Sequence, residues 1–437
     1  MALNEAYIAG ERAEDLSELE RLMRDDPQDY LELAWEYAEA GAYPEAADVL
    51  GRLERKGSRF PLVYYTLGYY AARQGLADEA VRYYQKGAAL PTDYCYPFRQ
   101  EEVYVLKEAM RQCPEDARAP YYLGNLLYEH QPDEAIACWE KSLELDPSFY
   151  ITRRNLGLAY KEIRKEYRRA LAFMRQAFAA CPTDARLLFE LDELNDLNKV
   201  DPQEKYAFLK KHRKVAESRS ETTLRLATRA VEAGQYAEAV RWMDTHFIIE
   251  SEGAREKQDN YLNSYMLLAL ECARKKQYDA AIGWIDKALA YPIGLYGRSC
   301  YAQLYYTAGS LYRQKGDTQR ANEAFRQAAA VVADRPGDGE YTYYKAMAWI
   351  ASGRQEEGKQ LLQTILDQLQ TGSETFFTQF EGGRQNQDKQ LANQHYQAGL
   401  AYEGLGDREK AREEYQTALT YHPAHVWCQA HLRMLNF

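Results

Sequence analysis

The chain repeats itself at a fixed spacing. In "ARAPYYLGNLLYEHQPDEAIACWEKSLELDP" (117–147), Leu123-Gly124 is followed by Ala135, Trp139 and Pro147. The same order returns in "LVYYTLGYYAARQGLADEAVRYYQKGAALP" as Leu67-Gly68, Gly75, Ala80, Tyr84 and Pro91. "RRNLGLAYKEIRKEYRRALAFMRQAFAACP" carries it as Leu156-Gly157, Tyr160, Ala170, Met174, Ala177 and Pro182. "HYQAGLAYEGLGDREKAREEYQTALTYHP" gives Gly399, Tyr402, Gly406, Ala411, Tyr415, Ala418 and Pro423. Weaker copies hold Ala34/Ala46, Ala227/Ala239, Ala269/Ala281, Gly309/Ala321 and Ala346/Gly358, and Ala34 and Gly68 stand 34 residues apart. A period of this length marks stacked copies of one supersecondary unit, none of which can bury its apolar face alone.

Each copy reads as two antiparallel helices, A and B. A short turn joins them, often with a glycine (Gly41, Gly75, Gly234, Gly316, Gly353, Gly406). The small residue of A and the alanine of B belong where the two backbones come closest, and a larger side chain there would overpack the crossing. Aromatics such as Tyr84, Trp139 and Phe325 fill the space toward the next copy, and the closing proline ends helix B. The expected fold is all-α, a right-handed α-solenoid of stacked helix pairs.

These residues resemble the tetratricopeptide repeat over most of 27–426, most clearly at 61–91, 117–182, 302–330 and 392–426 and least at 183–219. The implied organisation is an N-terminal capping helix at 1–26 and N-terminal repeats at 27–245, with a truncated repeat at 92–116. A connecting loop at 246–260 and C-terminal repeats at 261–437 follow, with a loop insert at 371–391 holding Phe376, Phe377 and Phe380. Such a resemblance specifies fold far better than function.

A narrower likeness lies in "YCYPFRQEEVYVLKEAMRQCPEDARAPYYLGNLLY", "DPSFYITRRNLGLAY", "PTDARLLFELDEL" and "ALAYPIGLYGR". Together these resemble the C-terminal repeat region of a bacterial family whose N-terminal β-sandwich domain, of unknown function, is similar to sugar-mutarotase sandwiches. Nothing before residue 27 alternates with a two-residue period, so the sandwich is not expected here. The family's Phe-His-Pro-Trp-Glu-Gly-Gly run is replaced by "HFIIESEG", which keeps Phe247 and Glu250.

Composition removes several function classes. A net charge of −11 opposes phosphate-driven nucleic-acid binding. The basic run "KKHRK" (210–214) reads as a solvated helix face. No apolar run has membrane-spanning length, and the start has neither a basic n-region nor an apolar h-region, so a cytoplasmic protein is expected. Seven cysteines occur without a Cys-x-x-Cys pair and read as reduced, packed thiols.

Catalytic motifs are missing: there is no phosphate-binding glycine loop, Gly-x-Ser-x-Gly or His-Glu-x-x-His. The expectation is a non-enzyme without cofactor or metal. In "HPAHVWCQAH", His422, His425, Cys428 and His431 spread around half a helix and cannot converge on one ion, so a polar C-terminal cap is expected. The carboxylates of "ELDELND" (190–196), like Glu101-Glu102 and Glu356-Glu357, define no cleft-spanning pair.

The concave face, lined by A helices, is the better place for function. Three residues before each small position stand Tyr65, Tyr121, Arg154, Tyr306, Tyr343 and Tyr396. One residue after stand Tyr69, Asn125, Leu158, Ser310, Met347 and Leu400. Two readings stay open for this tyrosine ladder: packing typical of the repeat, or a surface for a peptide or sugar. Asn125 and Asn155 match the two asparagines of the repeat's known clamp for a peptide's C-terminal carboxylate. Tyr121 replaces its first lysine, and Ala185 and Phe189 stand near its other basic positions, so the clamp is incomplete. The functional expectation is a scaffold binding a protein or peptide through Tyr65, Tyr69, Tyr121, Asn125, Arg154, Asn155, Tyr306, Tyr343 and Tyr396. The rival is an accessory protein of carbohydrate metabolism working with a separately encoded β-sandwich.

Overall fold

A computed structural model describes residues 1–10, 13–249, 255–292, 299–332, 338–370 and 384–435. Helices are the only regular elements among them, and they fall into two compact units, Met1–Cys181 and Pro182–Phe437.

The first unit runs α1 (Ala2–Gly10), α2 (Ala13–Met23), α3 (Pro27–Glu39), α4 (Tyr43–Arg55), α5 (Pro61–Arg73), α6 (Ala77–Ala88) and α7 (Glu101–Gln112), then α8 (Arg118–Leu127), α9 (Pro132–Leu145), α10 (Tyr150–Glu162) and α11 (Tyr167–Ala180). In the second, α12 (Ala185–Leu197), α13 (Pro202–Lys211) and the short α14 (Arg213–Ala216) lead into pairs. These are α15 (Ser220–Glu232) with α16 (Tyr236–Thr245), α17 (Glu256–Arg274) with α18 (Tyr278–Ala290) and α19 (Cys300–Lys315) with α20 (Thr318–Ala330). Then come α21 (Gly339–Ala351) with α22 (Gln355–Gln370), α23 (Arg384–Leu405) with α24 (Arg408–Tyr421), and α25 (Val426–Leu435).

Local chemistry sets the boundaries. Asp26, Asp184, Asp201, Asp317, Asp338 and Asp407 cap helix N-termini with side-chain hydrogen bonds to the first-turn amides. The six turn glycines all have positive φ, from 72° at Gly234 to 92° at Gly406, the left-handed conformation that closes a helix without a Cβ penalty. Lys165 (56°) and Lys276 (58°) take the same conformation between α10 and α11 and between α17 and α18.

The A/B crossings are as tight as the repeat requires. Ala46, Ala80, Ala135, Ala170, Ala239, Ala281, Ala321 and Ala411 are all 0% exposed. A Cβ on Gly124 would stand 2.5 Å from Trp139 Nε1 and 3.0 Å from the Ala135 carbonyl. On Gly68, Gly309 and Gly399 it would stand 2.6, 2.7 and 2.5 Å from the rings of Tyr84, Phe325 and Tyr415. The B-helix aromatic therefore lies directly on the A-helix glycine.

Several boundaries differ from the sequence expectation. Residues 1–26 hold two helices rather than one cap. α1 is held by polar contacts that periodicity does not report: Asn4 Nδ2 donates to Tyr37 Oη at 2.8 Å, which donates to Glu5 at 2.6 Å. The segment 246–260 is helical from Glu256. Its polar residues bind back, with the Thr228 hydroxyl donating to Glu256 at 2.7 Å and Asn260 donating to that hydroxyl at 2.8 Å. The division between compact units falls at Cys181/Pro182, and α16 and α17, on either side of the expected loop, pack on each other. α23 already begins at Arg384, inside the expected 371–391 insert, while Phe376, Phe377 and Phe380 lie outside the described residues. The basic run 210–214 is broken at His212 between α13 and α14. In 92–116, residues 92–100 form no helix and α7 packs between α5 and α8.

Substituting Gly124→Ala should cost about 1–3 kcal/mol by overpacking the Trp139 contact. Gly283→Ala in α18, where an added Cβ meets nothing within 4 Å, should stabilise by about 0.5–1 kcal/mol. Urea unfolding of both variants checks the opposite signs.

Candidate functional site

Sequence position alone puts Tyr65, Tyr69, Tyr121, Asn125, Arg154 and Asn155 on the A helices of the first unit, but their surroundings differ. Tyr65 is core. It is 0% exposed, and its hydroxyl donates to Asp116 Oδ2 at 2.7 Å. Burial, reinforced by that carboxylate, pushes its phenol well above the ordinary range. Tyr69 is half-buried, its ring 6.2 Å from those of Trp35 and Tyr70.

Tyr121, Asn125 and Asn155 form one hydrogen-bonded group across α8, α9 and α10. Asn125 Oδ1 accepts from Trp139 Nε1 at 3.1 Å and from Asn155 Nδ2 at 3.0 Å. Burial raises the Tyr121 phenol, a hydrogen bond from Asn125 opposes this, and Tyr96 and Arg154 stand close enough to act on it. The Tyr121 ring meets Phe149 edge-on at 4.8 Å. Asn125 thus joins α8, α9 and α10 through its Oδ1. Arg154 and Asn155 remain half-exposed beside it.

Beside this group lies a surface that helical periodicity does not reveal. Along the non-helical stretch 94–98, burial alternates: Cys95 and Pro97 are buried, while Tyr94, Tyr96 and Phe98 are 87%, 66% and 61% exposed. Tyr104 of α7 is also exposed and acts on the Tyr69 phenol. Glu102 fixes the stretch, its buried carboxylate accepting from the Phe98 and Arg99 amides at 2.8 Å each. Arg99 also pairs with Glu32 of α3. The signal was present as Tyr-x-Tyr-x-Phe in "DYCYPF", a two-residue period inside an otherwise helical chain.

The ladder continues differently in the second unit. Tyr306 is half-buried against Phe325 and Tyr344, each at 5.7 Å. Tyr343 and Tyr396 are 3% and 2% exposed because α25 lies on them. The His431 ring sits 6.3, 6.0 and 5.3 Å from Tyr343, Tyr396 and Tyr415. Its Nδ1 is 2.9 Å from Glu403 Oε2. Burial would raise the Glu403 carboxyl, but the charge and hydrogen bond of His431 and the Tyr415 hydroxyl hold it below the ordinary range. Glu340, accepting from Tyr396 Oη at 3.0 Å, is instead pushed up by burial to about 7.

So 422–431 is not the polar cap that its histidines suggested. Among the described residues no His/Cys/Asp/Glu group is arranged to hold a metal. Burial pushes His422 and His425 down to about 4 and about 3, leaving them neutral and able to pack on rings, as His425 does on Tyr396 at 4.6 Å.

The carboxylates of 190–196 have a structural occupation. Arg229, buried in α15, reaches Asp192 at 2.6 Å, Asp196 at 2.5 Å and Glu232 at 2.7 Å, and Lys205 binds Asp196 at 2.6 Å and Glu232 at 3.0 Å. Burial would raise Asp196, but the charges of Arg229 and Lys205 reverse this and hold it at about 2. These groups are spent on one another. The first and last helix pairs of this unit also meet: Lys199 Nζ lies 3.1 Å from Asp388 and donates to the Thr420 carbonyl at 3.1 Å.

Comparison with known proteins follows the repeats. Tetratricopeptide-repeat patterns match residues 31–94, 306–372 and 395–425. Similar solved structures include YrrB, described as a tetratricopeptide-repeat protein with an unusual peptide-binding site. It is 18% identical, over 57% of this chain and 97% of that one, with TM-score 0.29. PilF of Pseudomonas aeruginosa is 18% identical over 54% of this chain and 93% of its own, with TM-score 0.31. MamA from Desulfovibrio magneticus RS-1 is 19% identical over 43% and 94%, with TM-score 0.26. The described chain is an all-helical array of antiparallel pairs that carries tetratricopeptide-repeat patterns over these segments. No described helix is long and apolar enough to cross a membrane.

Arg229→Met should cost about 3–5 kcal/mol, because it leaves three carboxylates with Lys205 and the more distant Arg225. The pH signature is specific. With Asp196 at about 2 in the folded protein, below its usual 3.8, its contribution is complete above about pH 5 and disappears as pH falls through about 2. The wild type should therefore lose stability on acidification across this window. The variant should instead gain it as the unpaired carboxylates protonate, measured by thermal melts between pH 6 and 2.

Proposed function

We propose that this chain is a non-catalytic scaffold whose first unit binds a protein or peptide partner on the face formed by 94–98, α7, α8 and α10. The observation that carries this reading is the alternation along 94–98. The chain invests a buried cysteine, a buried proline and the Glu102 cap in holding three aromatic side chains out in water, and exposed aromatic clusters of this kind mark interaction sites. Tyr96 and Arg154 both lie near Tyr121, and Tyr104 lies near Tyr69. Aromatic faces give contact area at low entropy cost, and Arg154 and Asn155 suit the backbone carbonyls and acidic groups of an extended peptide. Tyr65 and Asn125 act beneath this surface and not on it. No observation singles out a β-sandwich as the partner.

The partner is not recognised by its terminal carboxylate, since Asn125 is engaged by Trp139, Asn155 and Tyr121. A peptide ending in Glu-Glu-Val-Asp and its C-terminally amidated form should bind within about two-fold of each other, whereas a clamp built on a charged hydrogen bond would separate them by ten-fold or more. Fluorescence anisotropy measures this directly.

The face itself is tested by capture from source-cell extract with wild type and with Tyr94→Ser/Tyr96→Ser/Phe98→Ser/Arg154→Ala. The exposed positions leave the melting temperature nearly unchanged, and the bound species should fall at least ten-fold. An unchanged set of captured proteins at unchanged stability would overturn the assignment.

A further inference from the structure

Helices in a repeat stack touch their sequence neighbours. α25 does not keep to this rule. It touches α24, where Arg408 Nη2 donates to the Leu435 carbonyl at 2.9 Å. It also reaches far back along the second unit. Trp427 Nε1 donates to Asn263 Oδ1 of α17 at 2.9 Å, His431 packs on Tyr343 of α21, and Arg433 stands beside Tyr236 of α16. One short helix thus reaches α16, α17, α21 and α24, which together span several repeats.

The surface beneath it is polar and aromatic. Glu403 gathers Tyr415 Oη at 2.8 Å, Tyr343 Oη at 3.4 Å and His431 Nδ1. Glu340 holds Tyr396 Oη, and Asn263 holds the indole of Trp427. A surface meant only as core is cheapest when apolar, because buried carboxylates and amides need partners whenever water is excluded. One that carries its own hydrogen-bonding groups tolerates being both covered and wet, as binding sites do.

We infer that α25 is a tethered ligand, occupying in cis a receptor surface of the second unit that takes an amphipathic helix bearing tryptophan and histidine four residues apart. Trp427, Cys428, His431 and Leu435 form its buried face, while Arg433 and Met434 face out. Anchors at i and i+4 are the grammar of helix-in-groove recognition. The fit is incomplete on the side of α25 itself: His431 Nε2 is buried with no partner, which weakens the hold of α25 on the surface. The short 422–425 turn gives α25 a high effective concentration, and the surface is closed to weak competitors. This inference stands apart from the peptide face of the first unit, and either can fail alone.

A protease site inserted after Ala424 in the full chain tests it, with a fluorescent peptide of residues 422–435 as probe. The peptide should bind the cut chain at least ten-fold more tightly than the uncut chain. A peptide carrying Trp427→Ala and His431→Ala should bind at least ten-fold more weakly. Loss of cooperative melting when α25 leaves, failure of the probe to exchange within a day, or equal affinity for cut and uncut chains would each show that α25 is an ordinary core helix and overturn the inference.

Discussion

Everything in this chain depends on how closely helix A approaches helix B. At Gly124 the space a methyl group would take is filled by the indole of Trp139 and the Ala135 carbonyl. Equivalent contacts join Gly68 to Tyr84, Gly309 to Phe325 and Gly399 to Tyr415. The large residue on B is accommodated only because the residue on A is absent as a side chain. That complementarity fixes the register of each pair, and the register decides which A-helix residues face inward.

The chain holds 37 tyrosines against 13 phenylalanines, and the hydroxyls explain the preference. Tyr37 donates to Glu5, Tyr65 to Asp116, Tyr160 to Glu140, Tyr261 to Asp244, Tyr396 to Glu340 and Tyr415 to Glu403. Most of these bonds join different helix pairs. The ring supplies buried area and the phenol satisfies an acid that would otherwise be stranded at the seam between repeats. A stack with 66 acidic residues can in this way bring carboxylates to its seams without a matching lysine at each one. Where a phenol does not suffice, as for Asp192, Asp196 and Glu232, a buried arginine and lysine take its place. Glu340 shows the limit of the device: one phenol leaves its carboxyl raised to about 7.

The helix pairs were legible because their determinants are local and periodic: a small residue, a turn glycine, an alanine, an aromatic, a proline. What escaped were contacts that carry no period. α1 is recruited through Asn4 and Tyr37, a polar pair 33 residues apart. The start of α17 looks like a loop in sequence, yet its Glu256 and Asn260 are ordered by Thr228 of the preceding repeat. Of the candidate site, position within helix A located the residues on their helices but did not report the surroundings of each. Tyr65 and Tyr121 occupy the same repeat position, and only the second has a half-exposed arginine and asparagine beside it. The aromatics at 94, 96 and 98 follow a strand-like period, which a search tuned to helices passes over.

The two units treat the same inherited surface in opposite ways. In the first, the missing helix A at 92–100 leaves a gap, and an extended stretch placed there turns its aromatics outward. In the second, the inner tyrosines turn toward acids and a histidine, and the chain's own last helix lies over them. The difference follows from what each inner face could do uncovered. Tyr343, Tyr396, Glu340 and Glu403 satisfy one another only in part, and α25 completes the set through His431. Tyr94 and Tyr96 leave their hydroxyls to water, and with Phe98 they expose their rings at a standing hydrophobic cost. That cost is recovered when something apolar covers them, which is the reason the proposed partner face is placed at the gap in the repeat array rather than on the array itself.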